Sequence, residues 1–597
     1  MTLSPSSGRG TSLMAIECGL TVVAIAVAFC WPRLGSSYFS RVERAFGRLA
    51  RKQGLAIVVV GVTALLLRLA ILPLCPIPLP FVPDDFSFLL ASDTFASGRL
   101  SNPTPAMWVH FESIHISMQP TYMSMYFPAQ GLVLAGSKVL LGHPWYGLLC
   151  VSALMCAAIC WMLQAWLPPR WALLGGILAI LHLGLFSYWI NTYHGAGSIV
   201  ALGGALVLGA LPRFMKAAQL RDSLLLAVGV ILLATARPYE GILLCLPVSV
   251  VLVRWMFFGK NRPTGSLLLR RAAVPLALVV AAGAWMAYYN YRAFGNPLTL
   301  PYTINRNTYA MAPYFVWQSQ RPEPAYQHEA MRRFYYEGEL RGLENYHTLS
   351  GFLCETLLKA VRGILFFSGI ALLPSLVMMR RVLIDRRIRF LVLCVLVLMV
   401  GMGIEIFLLP HYLAPFTAAF YAIGLQAMRH LRRWTPEGQP VGIALVRLTV
   451  TVCFVVAGLR LCAGPLHFRL PESPASEWNF TWYGPGHFGT ARTHIEDGLE
   501  QLPGKQLVIV RYSSGHNVFN EWVYNAADID GSHVIWARGM DAANDLELIH
   551  YYKDRNVWLV QPDQQPAEIS PYTVPGSGAR VAVRPANSDS TVSGRLQ

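Results

Sequence analysis

Residues 145–166 read WYGLLCVSALMCAAICWMLQAW, a run of 22 residues without a single charge. An α-helix needs about 20 predominantly apolar residues to cross a lipid bilayer. The whole chain is similarly apolar: 54% of the 597 residues are hydrophobic and only 13% are charged. In a soluble protein about 25% of the residues are charged. The sequence therefore predicts an α-helical membrane protein.

Eleven further apolar runs make the predicted protein polytopic, with about twelve transmembrane helices. The predicted spans are 12–31, 54–75, 145–166, 171–189, 195–212, 222–236, 239–258, 271–291, 357–378, 389–409, 411–428 and 441–463. A shorter run, 127–141, follows a proline-containing segment and contains Lys138. We interpret it as a helix lying in the outer membrane interface, because counting it as a span would invert every later loop.

The basic residues support this topology. With the N-terminus outside, the loops assigned to the cytoplasm hold 23 Lys and Arg but 4 acidic residues, while the rest of the chain holds 25 and 28. Such a bias is typical of cytoplasmic loops. The formal charge of +16 thus reflects membrane orientation and requires no nucleic acid as partner. The eleven cysteines lie mostly inside apolar runs, and no disulfide framework or metal-ligand spacing is visible.

Three parts of the chain are expected. Residues 1–53 form a retained N-terminal anchor helix and a basic cytoplasmic loop, since no signal-peptide cleavage site precedes Arg33. Residues 54–463 form a transmembrane module with long outer loops at 76–144 and 292–356. Residues 464–597 form a small extracytoplasmic α/β domain, with strands near 505–514, 532–540 and 556–562, helices near 517–529 and 545–554, and a disordered tail from about Ala586.

Two adjacent carboxylates, Asp84 and Asp85, follow the second span in PFVPDDFSFLLASDTFASGR (residues 80–99). Phe88, Ala91 and Phe95 recur at helical spacing, so a helix should begin at the carboxylates. One aspartate could simply cap that helix. Capping does not explain why a second carboxylate lies beside the first. Both stand at the mouth of a membrane domain, where ionised groups are costly.

With these features the sequence resembles the GT-C superfamily of integral membrane glycosyltransferases, in particular the branch of protein O-mannosyltransferases and lipid A aminoarabinose transferases. The resemblance rests on the outer loop bearing Asp84-Asp85, the helix after it, the segment QPTYMSMYFPAQG (119–131) leading into a second interfacial helix, and the outward-facing C-terminal domain. It covers the architecture of residues 54–463.

The resemblance implies an enzyme of the plasma membrane that moves a sugar from a polyprenyl-phosphate donor to a lipid, glycan or protein acceptor on the outer face, usually with inversion. Asp84 or Asp85 would then take the proton of the acceptor hydroxyl. The nearest helpers in the sequence are Glu112, Asp93, His110 and His115, each of which could equally be part of the loop structure.

Arg237, in ATARPYEG (234–241), is the candidate for binding the donor phosphate, because a guanidinium binds phosphate oxygens in a fork. Glu240 could instead simply pair with it. Two other outer turns could line the same cavity, or could anchor helix ends by their aromatic residues. They contribute Tyr193 and His194 in NTYHGAG, and His411 and Tyr412 in PHYLAP.

The sequence departs from the resemblance at one point. Members of the aminoarabinose transferase branch often have Lys-Pro-Pro or His-Pro-Pro where this chain has Tyr126-Phe127-Pro128-Ala129, which leaves the donor and the subfamily open. The aromatic-rich loop 292–356 could bind a sugar acceptor or dock on the membrane. No cofactor is assigned, although a carboxylate pair could also hold a divalent metal ion.

Two other functions compete with an enzyme. Twelve spans are also common among transporters, so a transporter or flippase of lipid-linked saccharide is one alternative. No similarity between residues 54–258 and 271–463 indicates inverted repeats. A non-catalytic membrane assembly protein is the other, and it would not require Asp84 or Asp85.

Overall fold

A computed structural model describes residues 12–259, 264–468, 484 and 488–573. The tail that is predicted to be disordered from Ala586 lies outside these residues. The first helices are α1 Leu13–Cys30, α2 Ser36–Arg51, α3 Gln53–Ala70, α4 Pro83–Ala96, α5 Pro128–Leu141, α6 Trp145–Trp166, α7 Pro169–Ala179, α8 Tyr188–Asn191, α9 Gly197–Ala217 and α10 Leu220–Ala236. They are followed by α11 Pro238–Phe258, α12 Gly265–Phe294, α13 Pro301–Tyr309, α14 Glu329–Arg332, α15 Leu349–Ser368, α16 Met379–Leu383, α17 Arg389–Ile404, α18 Thr417–Arg432, α19 Val441–Leu461, α20 Thr490–Glu500 and α21 Ala542–Tyr551.

The helical membrane fold is confirmed. Within the described residues, seven helices are long and apolar enough to cross a membrane: α1, α3, α6, α9, α11, α12 and α19. The predicted span 357–378 corresponds to a pair of segments, Leu349–Ser368 and Leu373–Leu383, bent by 116°. Two predicted spans are the shorter apolar helices Pro169–Leu185 and Arg389–Ile404, and two are α10 and α18. A helix therefore stands at each of the twelve predicted positions, while the number of spans stays a prediction.

Loops assigned to the same side of the membrane lie together. Glu43, in the loop after α1, pairs with Arg432 at 2.8 Å and Arg447 at 2.9 Å, and Asp385 pairs with His430 at 3.1 Å. All of these residues lie in or next to loops that the sequence places in the cytoplasm. Side chains of the predicted outer loops converge at the opposite end of α3, around α4.

The run at 127–141 forms the helix α5, as predicted. Its 14 residues span about 21 Å at 1.5 Å per residue, which is short of the roughly 30 Å of a bilayer core. It begins at Pro128, which suits the first turn of a helix because proline has no N–H to be satisfied there. It ends at Gly142 with a positive φ of 79°. Gly131 lets it approach α4, because a Cβ there would lie 2.7 Å from the Cβ of Ala91.

The C-terminal region contains the predicted small α/β fold. Its strands are β3 Gln506–Val510, β4 Val534–Arg538, β5 Asn556–Gln561 and β6 Glu568–Pro571, in the order β4-β3-β5-β6. β3 is parallel to β4 and β5, and β6 is antiparallel to β5. A short antiparallel pair, β1 Ile116–Ser117 and β2 Met123–Ser124, lies in the first outer loop.

One predicted element of this domain is wrong. Residues 517–529 form no helix. Asn525 holds the segment along β4 instead, since its side chain donates to Trp536 O at 2.8 Å and accepts from Trp536 N at 2.9 Å. Trp522 and Val523 are buried in the domain core. Tertiary contacts therefore override the helical pattern.

The first outer loop and the C-terminal domain share one hydrophobic core. This shared core contains Leu90, Phe111, Ile116, Met118 and Tyr122 from the loop side and Leu507, Ile509, Ile535 and Leu548 from the domain. Its members are buried, and Leu507 and Ile509 are fully inaccessible to solvent. The domain thus packs onto the loop that carries Asp84 and Asp85.

Candidate active site

The two aspartates occupy the first turn of α4. Pro83 is the first helical residue and Val82 is the N-cap, with an extended φ of −96°. Asp84 and Asp85 are therefore the second and third residues of the helix, where a negative charge is favourable because the free N–H groups of the first turn make that end positive. The side chains differ in exposure, at 23% for Asp84 and 3% for Asp85.

Asp85 is held by backbone groups. Its Oδ1 accepts a hydrogen bond from Tyr193 N at 2.8 Å, and its Oδ2 accepts one from Phe81 N at 3.2 Å. His194 Nδ1 lies 3.2 Å from Oδ1. Neither aspartate is the N-cap, which is Val82, but Asp85 accepts hydrogen bonds from the N–H groups of Phe81 and Val82 just before the helix. It also fixes α4 to the turn NTYHGAG.

Asp84 faces two other polar side chains. Tyr126 donates its hydroxyl hydrogen to Asp84 Oδ1, and His115 Nδ1 lies 3.4 Å from Oδ2. Burial alone would raise the pKa of Asp84, but His115, His194 and the hydrogen bond from Tyr126 outweigh it and leave the pKa below its usual range. Asp84 is therefore an ionised carboxylate with a partly open side chain.

Tyr126 belongs to the site, although in the sequence it stands out only in the segment that departs from the resemblance. Its ring stacks on Phe88 of α4 with the centroids 4.3 Å apart. Burial and the charge of Asp84 raise its pKa well above the usual value, so the phenol stays protonated and donates. A tyrosine hydroxyl thus contacts the carboxylate from the segment 126–129.

His194 and His411 come together beside the carboxylate pair. His194 stacks on Tyr188 at 5.4 Å, and its ring lies 5.8 Å from that of His411. Tyr188 Oη is 2.8 Å from His411 Nδ1. Gly195 has a positive φ of 86°, and a Cβ there would lie 2.7 Å from His411 Nδ1. Glycine is therefore required for the two turns to approach. Tyr188 had no sequence signal, because it lies inside an apolar run.

Arg237 pairs with Glu240 and still reaches the same turn. Its Nη1 donates to Glu240 Oε1 at 2.8 Å, its Nε donates to Gly195 O at 3.2 Å, and its guanidinium lies 4.2 Å from the ring centre of Tyr412. Nη2 makes no hydrogen bond to any residue that the structure describes. The ion pair therefore uses only part of the guanidinium.

The other helper candidates have different partners. The backbone oxygen of Glu112 accepts from Arg538 Nε at 2.5 Å, and its carboxylate accepts from Tyr309 Oη at 2.8 Å. His110 Nδ1 lies 3.1 Å from Arg538 O, and Asp93 pairs with Lys138 at 2.5 Å. These residues hold the outer loop to its neighbours, whereas His115 joins Asp84.

Part of the aromatic outer loop also reaches the site. The ring of Tyr302 lies 5.5 Å from that of Tyr126, and Phe334 lies 5.2 Å from His115. Tyr335 Oη accepts a long hydrogen bond of 3.5 Å from His115 N. Among the residues that the structure describes, no three or more His, Cys, Asp or Glu side chains are grouped so that they could hold a metal ion.

Comparison with known proteins finds likeness in three-dimensional structure alone. No family model matches the chain, and no curated protein matches it significantly. ArnT from Cupriavidus metallidurans in the apo state is 14% identical, with a TM-score of 0.47 over 86% of this chain and 93% of its own. The Archaeoglobus fulgidus oligosaccharyltransferase in complex with Zn and sulfate is 11% identical, with a TM-score of 0.44 over 85% and 67%.

A further structure of the archaeal enzyme, AglB in complex with an inhibitory peptide and a dolichol-phosphate, is 10% identical, with a TM-score of 0.44 over 85% of this chain and 69% of its own. ArnT and the oligosaccharyltransferase are members of the GT-C superfamily, which the sequence resembles. At these identities and TM-scores, the function has to be inferred from the residues of the site.

Proposed function

We propose that the chain is a membrane glycosyltransferase that moves a sugar from a polyprenyl-phosphate donor to an acceptor hydroxyl, with Asp84 as the general base. The observation that carries the proposal is the environment of Asp84: an ionised, partly exposed carboxylate beside His115 and Tyr126, with Tyr302 of the loop 292–356 packed against Tyr126. The charge distribution of the loops supports an extracytoplasmic site in the plasma membrane.

Asp84 is better suited than Asp85 to take a proton. A general base must lie within hydrogen-bond reach of the hydroxyl that it deprotonates. Asp84 has 23% of its side chain exposed, whereas Asp85 has 3% and already accepts hydrogen bonds from three backbone N–H groups. We assign Asp85 a positioning role, because it fixes α4 to Tyr193 and His194.

Arg237 is the group proposed to bind the donor phosphate. Its Nη2 donors are unused by the described residues, and Gly195 O links it to the turn that contacts Asp85. As the sugar leaves the donor, negative charge builds up on the phosphate, and a fixed guanidinium stabilises that charge. Glu240 keeps the buried cation neutralised before the donor arrives. Tyr412 and His411 form the adjacent wall.

The reaction needs no covalent enzyme intermediate. The acceptor hydroxyl gives its proton to Asp84 while its oxygen attacks the anomeric carbon, and the bond from that carbon to the phosphate oxygen breaks. One displacement of this kind inverts the anomeric configuration. The acceptor can be a lipid, a glycan or a protein, since each can carry a hydroxyl that attacks.

The test compares Asp84→Asn with Asp93→Asn in membranes of cells that lack the native gene. The donor is the polyprenyl-phosphate sugar that accumulates in those cells. Removal of a general base lowers a rate by about 10²–10⁴-fold, so Asp84→Asn should abolish transfer at normal protein levels. Asp93 is the matched control because it lies on the same helix but pairs with Lys138. Full transfer by Asp84→Asn would refute the proposal and favour a transporter or an assembly protein.

A further inference from the structure

A second polar cavity lies where the C-terminal domain meets the loop 292–356. It has a volume of about 200 Å³. The domain contributes the segment after β3 and the end of β4, and the loop contributes the turn at α14. Side chains that the argument uses are His328, Arg333, Tyr512, Ser514, His516 and Arg538.

The sheet topology marks this place as a binding crevice. β4 lies on one side of β3 and β5 on the other, and both are parallel to β3. The carboxyl ends of the three parallel strands therefore lie at one edge of the sheet. In open α/β sheets, ligands bind outside the carboxyl ends of the strands. Val510 ends β3, Arg538 ends β4, and both line the cavity.

Several hydrogen-bond donors around the cavity are unused. Arg538 is 3% exposed, and its Nη1 is buried without a hydrogen-bond partner in the part of the chain that the structure describes. Arg333 Nη1 donates to Ser514 O at 2.8 Å, while its Nη2 bonds to no described residue. His516 Nδ1 lies 2.7 Å from Asp563, and its Nε2 has no described partner. Buried donors in folded proteins are nearly always satisfied, so Arg538 Nη1 indicates a missing acceptor, while Arg333 and His516 offer further groups at the cavity.

The carboxylates near the cavity have partners, and Glu329, the only one among its described lining residues, is 67% exposed and lies 3.6 Å from Arg332. Glu521 Oε2 accepts from Arg538 at 2.5 Å, and its Oε1 accepts from Tyr512 Oη at 2.8 Å. Asp563 accepts from Ser513 N at 2.7 Å and contacts His516. Burial, followed by the charge of Arg538, lowers the pKa of His328 to about 4, so His328 adds no positive charge at neutral pH. The cavity thus offers cationic and neutral donors to a ligand.

We propose that this cavity binds one sugar unit that carries an oxyanion, either a phosphate or a carboxylate. The volume admits about one ring, and arginine binds both anions in a fork. Arg333 and His516 contact the oxyanion, and Arg538 supplies charge from the floor of the cavity. The binding site goes beyond the proposed transfer reaction and does not depend on it.

The cavity is joined to the site around Asp84 by one short segment. Arg333 lines the cavity, and the next residue, Phe334, packs against His115 at 5.2 Å. His115 in turn contacts Asp84. A ligand held by Arg333 would therefore fix this segment against His115.

The experiment measures saturation-transfer NMR signals on the purified full chain in lipid nanodiscs, with glucose 6-phosphate, glucuronate and glucose as probes. We expect signals from one or both anionic probes and a much weaker signal from glucose. Arg333→Gln should weaken binding of the anionic probe about tenfold or more, because the neutral amide loses the charge-assisted hydrogen bond to the oxyanion. Arg341→Gln is the matched control, since Arg341 is an exposed arginine of the same loop and does not line the cavity.

Each outcome tests a different part of the binding proposal. Glucose 6-phosphate alone would identify a phosphate group, and glucuronate alone a carboxylate. Equal binding of glucose, equal affinity in Arg333→Gln, or no binding of any probe would overturn the proposal. Asp84→Asn should bind the probes as the unmodified chain does, so a failure of the transfer proposal is distinguished from a failure of this one.

Discussion

The backbone N–H of Tyr193 donates a hydrogen bond of 2.8 Å to Oδ1 of Asp85, across 108 positions of the sequence. This bond ties the first turn of α4 to the turn between α8 and α9. Asp84, the preceding residue, makes no such backbone contact and faces Tyr126 and His115 instead. We therefore expect Asp85 to contribute mainly to stability and Asp84 mainly to catalysis.

Asp85→Asn should destabilise the protein more than Asp84→Asn. An asparagine can keep one of the acceptor contacts, but its amide group meets the remaining donors, and a buried donor left unsatisfied costs about 1–3 kcal/mol. Thermal unfolding of the two variants in the same detergent measures the difference. A larger loss of stability in Asp84→Asn would contradict the division of roles.

Tyr126→Phe should shift the acidic limb of the pH profile of transfer. The hydrogen bond from Tyr126 helps to hold the pKa of Asp84 below its usual range, so the ionised base persists as the pH falls and is lost only when the pH drops through that pKa. Without the hydroxyl, the pKa rises and activity is lost at a higher pH. We also expect kcat/KM to fall about tenfold, because the hydrogen bond that positions the Asp84 carboxylate is lost. A tenfold change corresponds to roughly 1.4 kcal/mol.

The control for this variant is Tyr309→Phe, which removes a hydroxyl that donates to Glu112 and not to Asp84. The measurement is kcat/KM as a function of pH with the accumulated lipid-linked donor. A Tyr126→Phe profile that matches the unmodified chain would show that the phenol does not act on Asp84.

Arg237→Lys and Glu240→Gln should change donor binding in opposite directions. Lysine keeps the charge but loses the fork that matches phosphate, so KM for the donor should rise about tenfold. Glu240→Gln removes the anion that competes for the guanidinium, so KM should fall. If both variants raise KM or only lower the protein level, Arg237 and Glu240 form a structural ion pair and the phosphate assignment is wrong.

Much of the membrane architecture could be predicted because apolar runs and basic loops are local signals. The span 145–166 coincides with α6 at both ends, and the start of α4 at Pro83 follows from proline and two carboxylates in its first turn. The helix predicted at 517–529 is wrong because Asn525 pairs with Trp536 instead. No local sequence pattern indicates that contact.

The candidate site was predicted only where a residue type carried a signal. Asp84, Arg237 and His194 stood out as polar groups next to apolar runs, and the structure groups them. Tyr188 and the role of Tyr126 could not be found, because an aromatic residue in an apolar segment is usually part of the core. Glu112 lies close to His115 in the sequence, but its bonds to Arg538 and Tyr309 are long-range contacts.

The shared core between the C-terminal domain and the first outer loop predicts different effects for two adjacent residues of β3. Leu507 faces the shared core, whereas Val508 faces a core formed within the domain by residues such as Trp522 and Trp536. Both side chains are fully buried. Truncation of a buried leucine to alanine typically costs about 2–5 kcal/mol. For Leu507, part of that loss weakens the packing of the first outer loop on the domain.

Leu507→Ala should therefore speed cleavage by trypsin at Arg99, next to the loop segment that packs on Leu507, because local opening exposes the backbone to a protease. Val508→Ala should loosen the domain itself and leave the rate at Arg99 near that of the unmodified chain. Limited proteolysis with mass analysis of the fragments measures both rates. An unchanged rate in Leu507→Ala would mean that the shared core does not hold the loop that carries Asp84. Equal acceleration in the two variants would contradict the predicted difference and mean that the loop and the domain open as one unit.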